Sequence, residues 1–290
     1  MKCSLILATL GRNEELIDLF DSLRRQSYED FELIIIDQNR DGRIDSIVER
    51  FKDDFRINHI KVDFTGNARA RDYGIGFAKG DILAFPDDDC VYESDVLEKV
   101  VAEFEKQKDL AILVAGSYDF DKAMFSIGVN HAKPRYLSRY YMMGVEFTHF
   151  FHTGRLASGE FYLDRDFGIG SKYPGGEGFE LLYRLLRAKC KAYYTPYIKI
   201  YHANKDHYEI GRKRMLMYSA GVGAYIRKFT NERDAAMVYY IIRKMFVAPL
   251  AKLVIALLLF DPKRIAYSFN NLRGVWRGFW AYEERRPEYR

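Results

Sequence analysis

The sequence has few cysteines, and none of them lies near another. The three cysteines are Cys3, Cys90 and Cys190, in a chain of 290 residues. This spacing gives neither a zinc-type cluster nor a disulfide framework, so it favours a reducing compartment. Only a short apolar run precedes Gly11 at the N-terminus, which predicts a first strand and not a signal peptide.

Long hydrophobic runs are also missing. The apolar stretch Phe246–Phe260 contains Pro249 and Lys252, and its fifteen residues are short of the roughly 20 that cross a bilayer. No internal repeat or low-complexity segment stands out. With 48% hydrophobic residues, the chain can nevertheless bury the core of one large domain, or of one domain with an appendage.

Acidic residues are scarce in the last third of the chain. From residue 201 onward there are 17 Lys and Arg against 8 Asp and Glu, whereas residues 1–200 have 28 against 33. Basic charge alone is compatible with nucleic acid, but here it alternates with large apolar residues, as in Asn271–Trp280. This pattern favours an anionic membrane surface over nucleic acid, with helix packing or a homodimer interface as the alternatives.

Apolar strands alternate with helical patterns through the first two thirds of the chain. Strands are predicted near Cys3–Ala8, Phe31–Ile36, Ile57–Val62 and Ile82–Phe85, with amphipathic segments between them. Such alternation predicts an α/β fold with a parallel, doubly wound sheet. We expect this domain to cover residues 1–205, and a helical, basic and aromatic tail to cover residues 206–290.

Three adjacent carboxylates follow the strand at Ile82–Phe85. Asp87, Asp88 and Asp89 repel one another, so folding must place a cation or a water layer beside them. A solvated acidic turn is the simpler interpretation. The carboxyl end of a central strand is, however, where open α/β sheets bind ligands. Mg²⁺ or Mn²⁺ would suit these oxygens and leave positions open for phosphate.

Several sequence blocks together resemble the family-2 glycosyltransferases over about residues 2–203. The blocks are Ser4–Thr9 with Arg12 and Asn13, Phe31–Asn39, Gly66–Ile75, the strand that ends in Asp87–Asp89, Gly175–Leu181, and Ile200–His202. This resemblance implies the GT-A fold, a Rossmann-like, mostly parallel sheet flanked by helices, here with a helical C-terminal appendage.

The resemblance also implies a nucleotide-sugar site. Thr9 and Asp37 would hold the base, and a carboxylate that accepts from the ring N–H of uracil or thymine favours UDP or dTDP donors. Arg12 belongs to the same nucleotide-sugar site. Arg71 would contact the diphosphate through two parallel hydrogen bonds, with Arg69 as its rival.

The acidic turn gains specific roles from the resemblance. Asp89 would be the principal metal ligand, while Asp87 and Asp88 would reach the ribose or coordinate through water. His202, just after the last strand, is a candidate second ligand for metal or phosphate, although a packing role is equally compatible with its position. The expected cofactor is Mg²⁺ or Mn²⁺.

Inverting sugar transfer needs a general base for the acceptor hydroxyl. The family usually supplies it from an acidic pair whose second member is Asp, but this sequence has Glu177 followed by Gly178. Glu177 is therefore the expected base, and Glu180 the second candidate. Glu180 could instead favour the start of its helix, because acidic residues stabilise first turns.

These inferences predict a metal-dependent inverting glycosyltransferase. It would move a sugar from a nucleoside diphosphate to a hydroxyl of a glycan or lipid-linked acceptor, peripherally at the cytoplasmic face of the cell membrane. The missing Asp motivates an alternative, a non-catalytic module that binds nucleotide sugars or glycans. A sugar nucleotidyltransferase is disfavoured because Leu10–Arg12 is too short for a glycine-rich phosphate loop.

Overall fold

The computed structural model describes residues 1–120, 124–203 and 211–284. The chain divides into two compact units, the first formed by Met1–Arg165 and Leu181–Asn204 and the second by Asp166–Glu180 and Lys205–Arg290. The boundary predicted after residue 205 lies outside the described residues.

One mixed sheet forms the centre of the first unit. Its strands are β1 (Cys3–Thr9), β2 (Phe31–Asp37), β3 (Arg56–Lys61), β4 (Ile82–Ala84), β5 (Cys90–Tyr92), β6 (Ile112–Tyr118), β7 (Arg135–Tyr136), β8 (His149–His152) and β9 (Ala192–His202). The order across the sheet is β3-β2-β1-β4-β8-β6-β9-β5, and β7 pairs with β9.

The order of the strands explains their composition. β1, β2, β3 and β4 are parallel neighbours, as are β6 and β9. All seven residues of β2 are buried, as expected of a parallel strand covered on both faces. β8 enters antiparallel between β4 and β6, and β5 pairs antiparallel with β9, which the doubly wound prediction did not include.

Helices follow the strands of the first unit and continue through the second. They are α1 (Glu15–Arg24), α2 (Asp45–Phe51), α3 (Asn67–Ile75), α4 (Val96–Lys106), α5 (Glu177–Arg187), α6 (Arg212–Asn231), α7 (Ala236–Tyr240), α8 (Ala248–Leu258) and α9 (Pro262–Ala281). The connection Ile241–Val247 between α7 and α8 is π-helical.

The second unit is built on a close crossing of α6 and α9. Gly278 lies so near α6 that an added Cβ would stand 1.8 Å from the carbonyl oxygen of Ala220, and one on Gly223 would stand 1.9 Å from that of Val275. Backbones approach this closely only where side chains are absent. In the stretch 271–280 that we expected to contact lipid, Val275 and Phe279 are buried and Trp280 is exposed.

No helix in the described part of the chain is both long enough and apolar enough to cross a membrane.

Candidate active site

The acidic turn lies where β4 ends, and a buried arginine holds it in place. Nη2 of Arg71, on α3, donates to Oδ1 of Asp87 at 2.6 Å, while its Nη1 lies 2.8 Å from Oε2 of Glu146. The Arg71 side chain is only 1% exposed. Because a buried cation between two carboxylates is costly to disturb, this ion pair network fixes the position of the turn.

Pairing between β5 and β9 brings a histidine to the same turn. Cys90 pairs with His202, so Asp89 lies beside the imidazole, with Oδ1 3.1 Å from Nε2. Ligand atoms of Asp87, Asp89 and His202 all lie within 4.8 Å of one another. The structure therefore gathers two carboxylates and one imidazole, a donor set with which proteins bind divalent metals.

The environment of His202 determines which nitrogen can coordinate. Nδ1 lies 2.8 Å from the carbonyl oxygen of Ala203, an acceptor that requires a proton on Nδ1. Nε2 lies 3.1 Å from Oδ1 of Asp89, to which it can donate when protonated, and it is the nitrogen that would coordinate a metal after losing that proton. The ring also stacks on Phe147 at 5.1 Å between centroids. Burial lowers the pKa of His202, but the hydrogen bond and charge of Asp89 outweigh it, so the net shift is upward.

Asp88 points to the end of β1. Its Oδ2 accepts from the hydroxyl of Thr9 at 3.0 Å, and its Oδ1 lies 3.5 Å from Nε of Arg12. Nη2 of Arg12 donates to Asp89 at 3.0 Å. Burial raises the pKa of Asp88 to about 6. Thr9, Arg12 and the acidic turn thus form one cluster, as the sequence predicts.

Asp37 ends β2 completely buried. Its Oδ1 accepts from the backbone N–H of Asn39 at 2.9 Å and from the Asn39 side chain at 2.8 Å, while Oδ2 lies 3.0 Å from Nε2 of His59 on β3. These contacts use three of the about four acceptor positions of a carboxylate. These contacts leave one position on Oδ2 unused.

The two residues after Asp37 link neighbouring loops. Gly11 donates its N–H to the Asn39 side chain at 2.7 Å, and Gly66 donates its N–H to the Gln38 side chain at 2.7 Å. Gln38 and Asn39 therefore tie the exits of β1 and β2 to the start of α3. Both side chains therefore have a structural role in this chain.

The two arginines proposed for the diphosphate are placed differently. Arg71 is committed to Asp87 and Glu146, as described above. Arg69 is exposed, with its guanidinium 4.1 Å from the centroid of the Phe64 ring. Contact of either side chain with a donor stays a prediction.

The two candidate bases lie in the second unit, at the start of α5. Gly175 and Gly176 precede the helix with φ of 118° and 85°, a backbone that favours glycine. Glu177 is partly buried. Glu180 is 1% exposed and lies 2.7 Å from Nζ of Lys228. The carboxylate of Glu180 is thus held in a buried ion pair, which suits a structural role better than proton abstraction.

A second acidic group near β2 is a weaker candidate for metal. Ligand atoms of Asp37, Asp45 and His59 also lie within 4.8 Å of one another. Asp45, however, is paired with the ammonium group of Lys61 at 2.6 Å. The Asp45 side chain is also 50% exposed, whereas those of His202 and Asp89 are 9% and 18% exposed, so this group is the more solvated of the two.

Sequence reasoning missed three side chains that act on predicted site residues. Glu146 and His59 contact Arg71 and Asp37, and Lys228 contacts Glu180. All three are distant in sequence from their partners. His59 could have been found from strand register, because β3 beside β2 brings its residues to the level of Ile35 and Asp37.

Residues 4–165 match the family described as glycosyl transferase family 2. The match covers more than half of the chain, which therefore belongs to this family. The glucosyl-dolichyl phosphate glucuronosyltransferase of Haloferax volcanii is 30% identical over 120 residues, which are 40% of this chain and 38% of the relative. The uncharacterized glycosyltransferase YwdF of Bacillus subtilis is 26% identical over 162 residues, 52% of this chain and 60% of the relative.

Solved structures show the same fold at low identity. The mannosyltransferase PcManGT from Pyrobaculum calidifontis, in complex with GDP-Man and Mn²⁺, superposes with a TM-score of 0.67 at 14% identity, covering 97% of this chain and 88% of that chain. TarS 1-349 from S. aureus, in complex with UDP-GlcNAc, has a TM-score of 0.60 at 13% identity, with coverage of 98% and 93%. The expected GT-A α/β fold is confirmed.

Proposed function

We propose that the protein is a metal-dependent, inverting glycosyltransferase that uses a nucleoside-diphosphate sugar. Family membership supports the class of reaction. The observation that carries the proposal is the convergence of Asp87, Asp89 and His202 at the edge of the sheet where such folds bind ligands. Two of the structural neighbours were solved with Mn²⁺.

The donor would bind between the exits of β1, β2 and β4. Asp37 has an acceptor position for the ring N–H of uracil or thymine, so we favour UDP or dTDP donors. Asp87, Asp89 and Nε2 of His202 would hold Mg²⁺ or Mn²⁺, which supplies positive charge to the diphosphate as the sugar leaves. Thr9, Arg12 and Asp88 border this site in the structure.

Glu177 would accept the proton of the attacking hydroxyl. Glu177 is partly buried in the first turn of α5, and we favour it over Glu180, which is only 1% exposed. The acceptor would be a glycan or lipid-linked saccharide. We place the protein peripherally at the anionic cytoplasmic face of the membrane, because the tail is basic and aromatic.

Two substitutions test the proposal. Asp89→Asn should abolish the part of UDP affinity that depends on Mn²⁺, as measured by calorimetric titration with and without the metal. Glu177→Gln should reduce turnover by about 10²–10⁴-fold, the usual contribution of a general base, and leave donor affinity unchanged. Glu105→Gln, at an exposed position on α4, is the control.

Donor binding without turnover by the wild-type protein, across UDP-, dTDP- and GDP-sugars with glycan and polyprenyl-diphosphate acceptors, would contradict catalysis. It would instead favour the non-catalytic sugar-binding module, the alternative suggested by Gly178 in place of the family Asp. If no nucleoside diphosphate bound in the presence of Mn²⁺, both readings would fail.

A further inference from the structure

An exposed apolar surface runs along the second unit. α7, the π-helical connection and α8 follow one another without a break from Ala236 to Leu258, which gives a helical rod about 34 Å long. We call its outward line of large apolar side chains the apolar ridge. Its members are Ile242, Phe246, Leu250, Val254, Leu258 and, just beyond α8, Phe260.

Helical spacing makes the ridge continuous. The members within the rod recur every four residues, so each lies next to the following one on the helix surface. Met237, Tyr240, Met245 and Ala256 are at most 3% exposed and pack on the rest of the second unit. One face of the rod is therefore buried by the rest of the chain, and the face turned to solvent is also apolar.

The exposure of the ridge is large for side chains of this kind. The six members are between 43% and 89% exposed, with Leu258 at 73% and Phe260 at 89%. Single exposed apolar residues are ordinary, but a contiguous apolar surface of this kind marks an interaction site on a soluble protein. None of the ridge residues takes part in the catalysis proposed above, so their exposure needs a separate explanation.

Charge around the ridge points to an anionic partner. Between residues 235 and 282 there are seven Lys and Arg and a single acidic residue, Asp261. Asp261 is used internally, because it accepts from the backbone N–H groups of Lys263 and Arg264 and pairs with the Arg264 side chain. Apart from Asp261, every charged residue in this stretch of the sequence is therefore a cation.

Two of these cations contact tyrosine side chains, a combination that suits a lipid interface. Arg243 donates to the hydroxyl of Tyr239 at 2.6 Å, and Nζ of Lys252 lies 5.6 Å from the centroid of the Tyr267 ring. Long cationic side chains can lay their stems along apolar surface and keep the charge at the headgroups. Tyrosine is likewise enriched at that depth.

We propose that the apolar ridge inserts into the outer part of an anionic lipid bilayer, with the rod parallel to the surface. This inference rests on the membrane setting in the proposed function and identifies the surface that makes the contact. It differs from the sequence prediction, which favoured residues 271–280, where Val275 and Phe279 are buried.

A second copy of the chain is the other possible occupant. A two-fold contact through the ridge would bring two surfaces of the same positive charge together. The cations of one copy, including Arg243 and Lys252, would then repel those of the other, whereas phosphate headgroups would attract them. The charge distribution therefore favours lipid over self-association.

The first test is cosedimentation of the full chain with vesicles. We expect binding to phosphatidylcholine mixed with phosphatidylglycerol and much weaker binding to phosphatidylcholine alone. Val254→Ser with Leu258→Ser should reduce binding at least about tenfold, because each buried methylene adds to membrane affinity. Tyr136→Ser with Tyr197→Ser, at 56% and 64% exposure in the first unit, is the matched control and should bind normally.

The second test locates the contact directly. Cys3, Cys90 and Cys190 are all buried, so a cysteine introduced at an exposed position can be labelled selectively with an environment-sensitive dye. Dye on Leu258→Cys should shift to the blue on vesicle addition and be quenched by brominated lipid, and dye on Tyr197→Cys should not respond.

The outcomes separate this inference from the proposed function. If the double variant Val254→Ser with Leu258→Ser still bound vesicles, the ridge would not be the contact surface, but the proposed membrane setting would stand. The wild-type protein could instead fail to bind vesicles and dimerise in a concentration-dependent way, with dimerisation lost in the double variant. That result would show that the ridge binds a second copy of the chain and not lipid. Sugar transfer to a water-soluble acceptor should be unchanged in this variant, so the chemistry is tested independently.

Discussion

Asp37 shows how much a single buried carboxylate depends on residues beyond its own motif. Its Oδ1 is satisfied locally by Asn39, but Oδ2 is oriented by His59 from the adjacent strand. A hydrogen bond to a charged group contributes about 1.5–3 kcal/mol. In the proposed recognition of the base by Asp37, His59 would therefore be a positioning residue.

Replacing His59 by alanine should weaken donor binding and leave the chemical step alone. Loss of one hydrogen bond to the carboxylate predicts an increase of roughly 10- to 100-fold in the Kd for UDP. The KM for the donor should rise with it, and kcat should hardly change. Calorimetric titration with UDP and steady-state kinetics measure the two quantities.

The matched control for this prediction is the preceding residue. Asn58 lies on β3 and is exposed, since successive side chains of a strand point to opposite faces. Asn58→Ala should leave UDP affinity within error of the wild type. If Asn58→Ala and His59→Ala weakened UDP equally, disruption of the strand would explain both, and the positioning role would be wrong.

At the scale of single residues, the sequence predicted where the contiguous candidates lie in the fold, and their roles stay predictions. The acidic turn, Thr9, Arg12 and Asp37 follow strand ends, and strand ends can be inferred from apolar runs. Glu146 and Lys228 could not be found, because their partners Arg71 and Glu180 become neighbours only through tertiary packing, which periodicity does not encode.

At the scale of elements, the crossing of α6 and α9 depends on missing side chains. Glycine inside a helix ordinarily costs about 1 kcal/mol relative to alanine. Here an alanine at Gly278 would place its Cβ 1.8 Å from the carbonyl oxygen of Ala220. Backbone cannot move aside as a flexible side chain does, so the usual preference is reversed at this position.

Gly278→Ala should therefore destabilise the protein. We expect a loss of about 2 kcal/mol or more in the free energy of unfolding, at the upper part of the range for overpacking. Gly76→Ala is the control, because its Cβ would meet Tyr73 at an ordinary 3.5 Å. Urea unfolding followed by circular dichroism measures both, and equal stability of the two variants would refute the crossing.

Elements with strong patterns were predicted and weakly patterned ones were missed. β1 and β2 are continuous apolar runs that lie buried between layers. β8 was not predicted. It is only four residues long, and it is specified by its pairing with β4 and β6, which is a long-range property.

At the scale of the whole molecule, proton binding couples folding to pH. Burial lowers the pKa of His149 from 6.5 to about 4. In unfolded chain the imidazole would titrate near its usual pKa, so between these values the unfolded state binds more protons than the native one. Stability contributed by neutral His149 is therefore present above about pH 6.5 and is lost as the pH falls toward 4.

His149→Phe should remove this part of the pH dependence. From about pH 7 to about pH 5, wild-type protein should lose about 2 kcal/mol of unfolding free energy through His149, and the variant should show a slope smaller by that amount. Urea unfolding at each pH measures the slopes. Parallel slopes would contradict the assignment, whatever the absolute stability of the variant.

Arg12 gives the acidic turn a resident counter-charge. Its guanidinium contacts Asp88 and Asp89, so the chain itself supplies positive charge to these carboxylates. If Asp89 holds a divalent ion as proposed, that ion and the Arg12 guanidinium would lie beside the same carboxylate and would offer two positive groups to the phosphates of a donor.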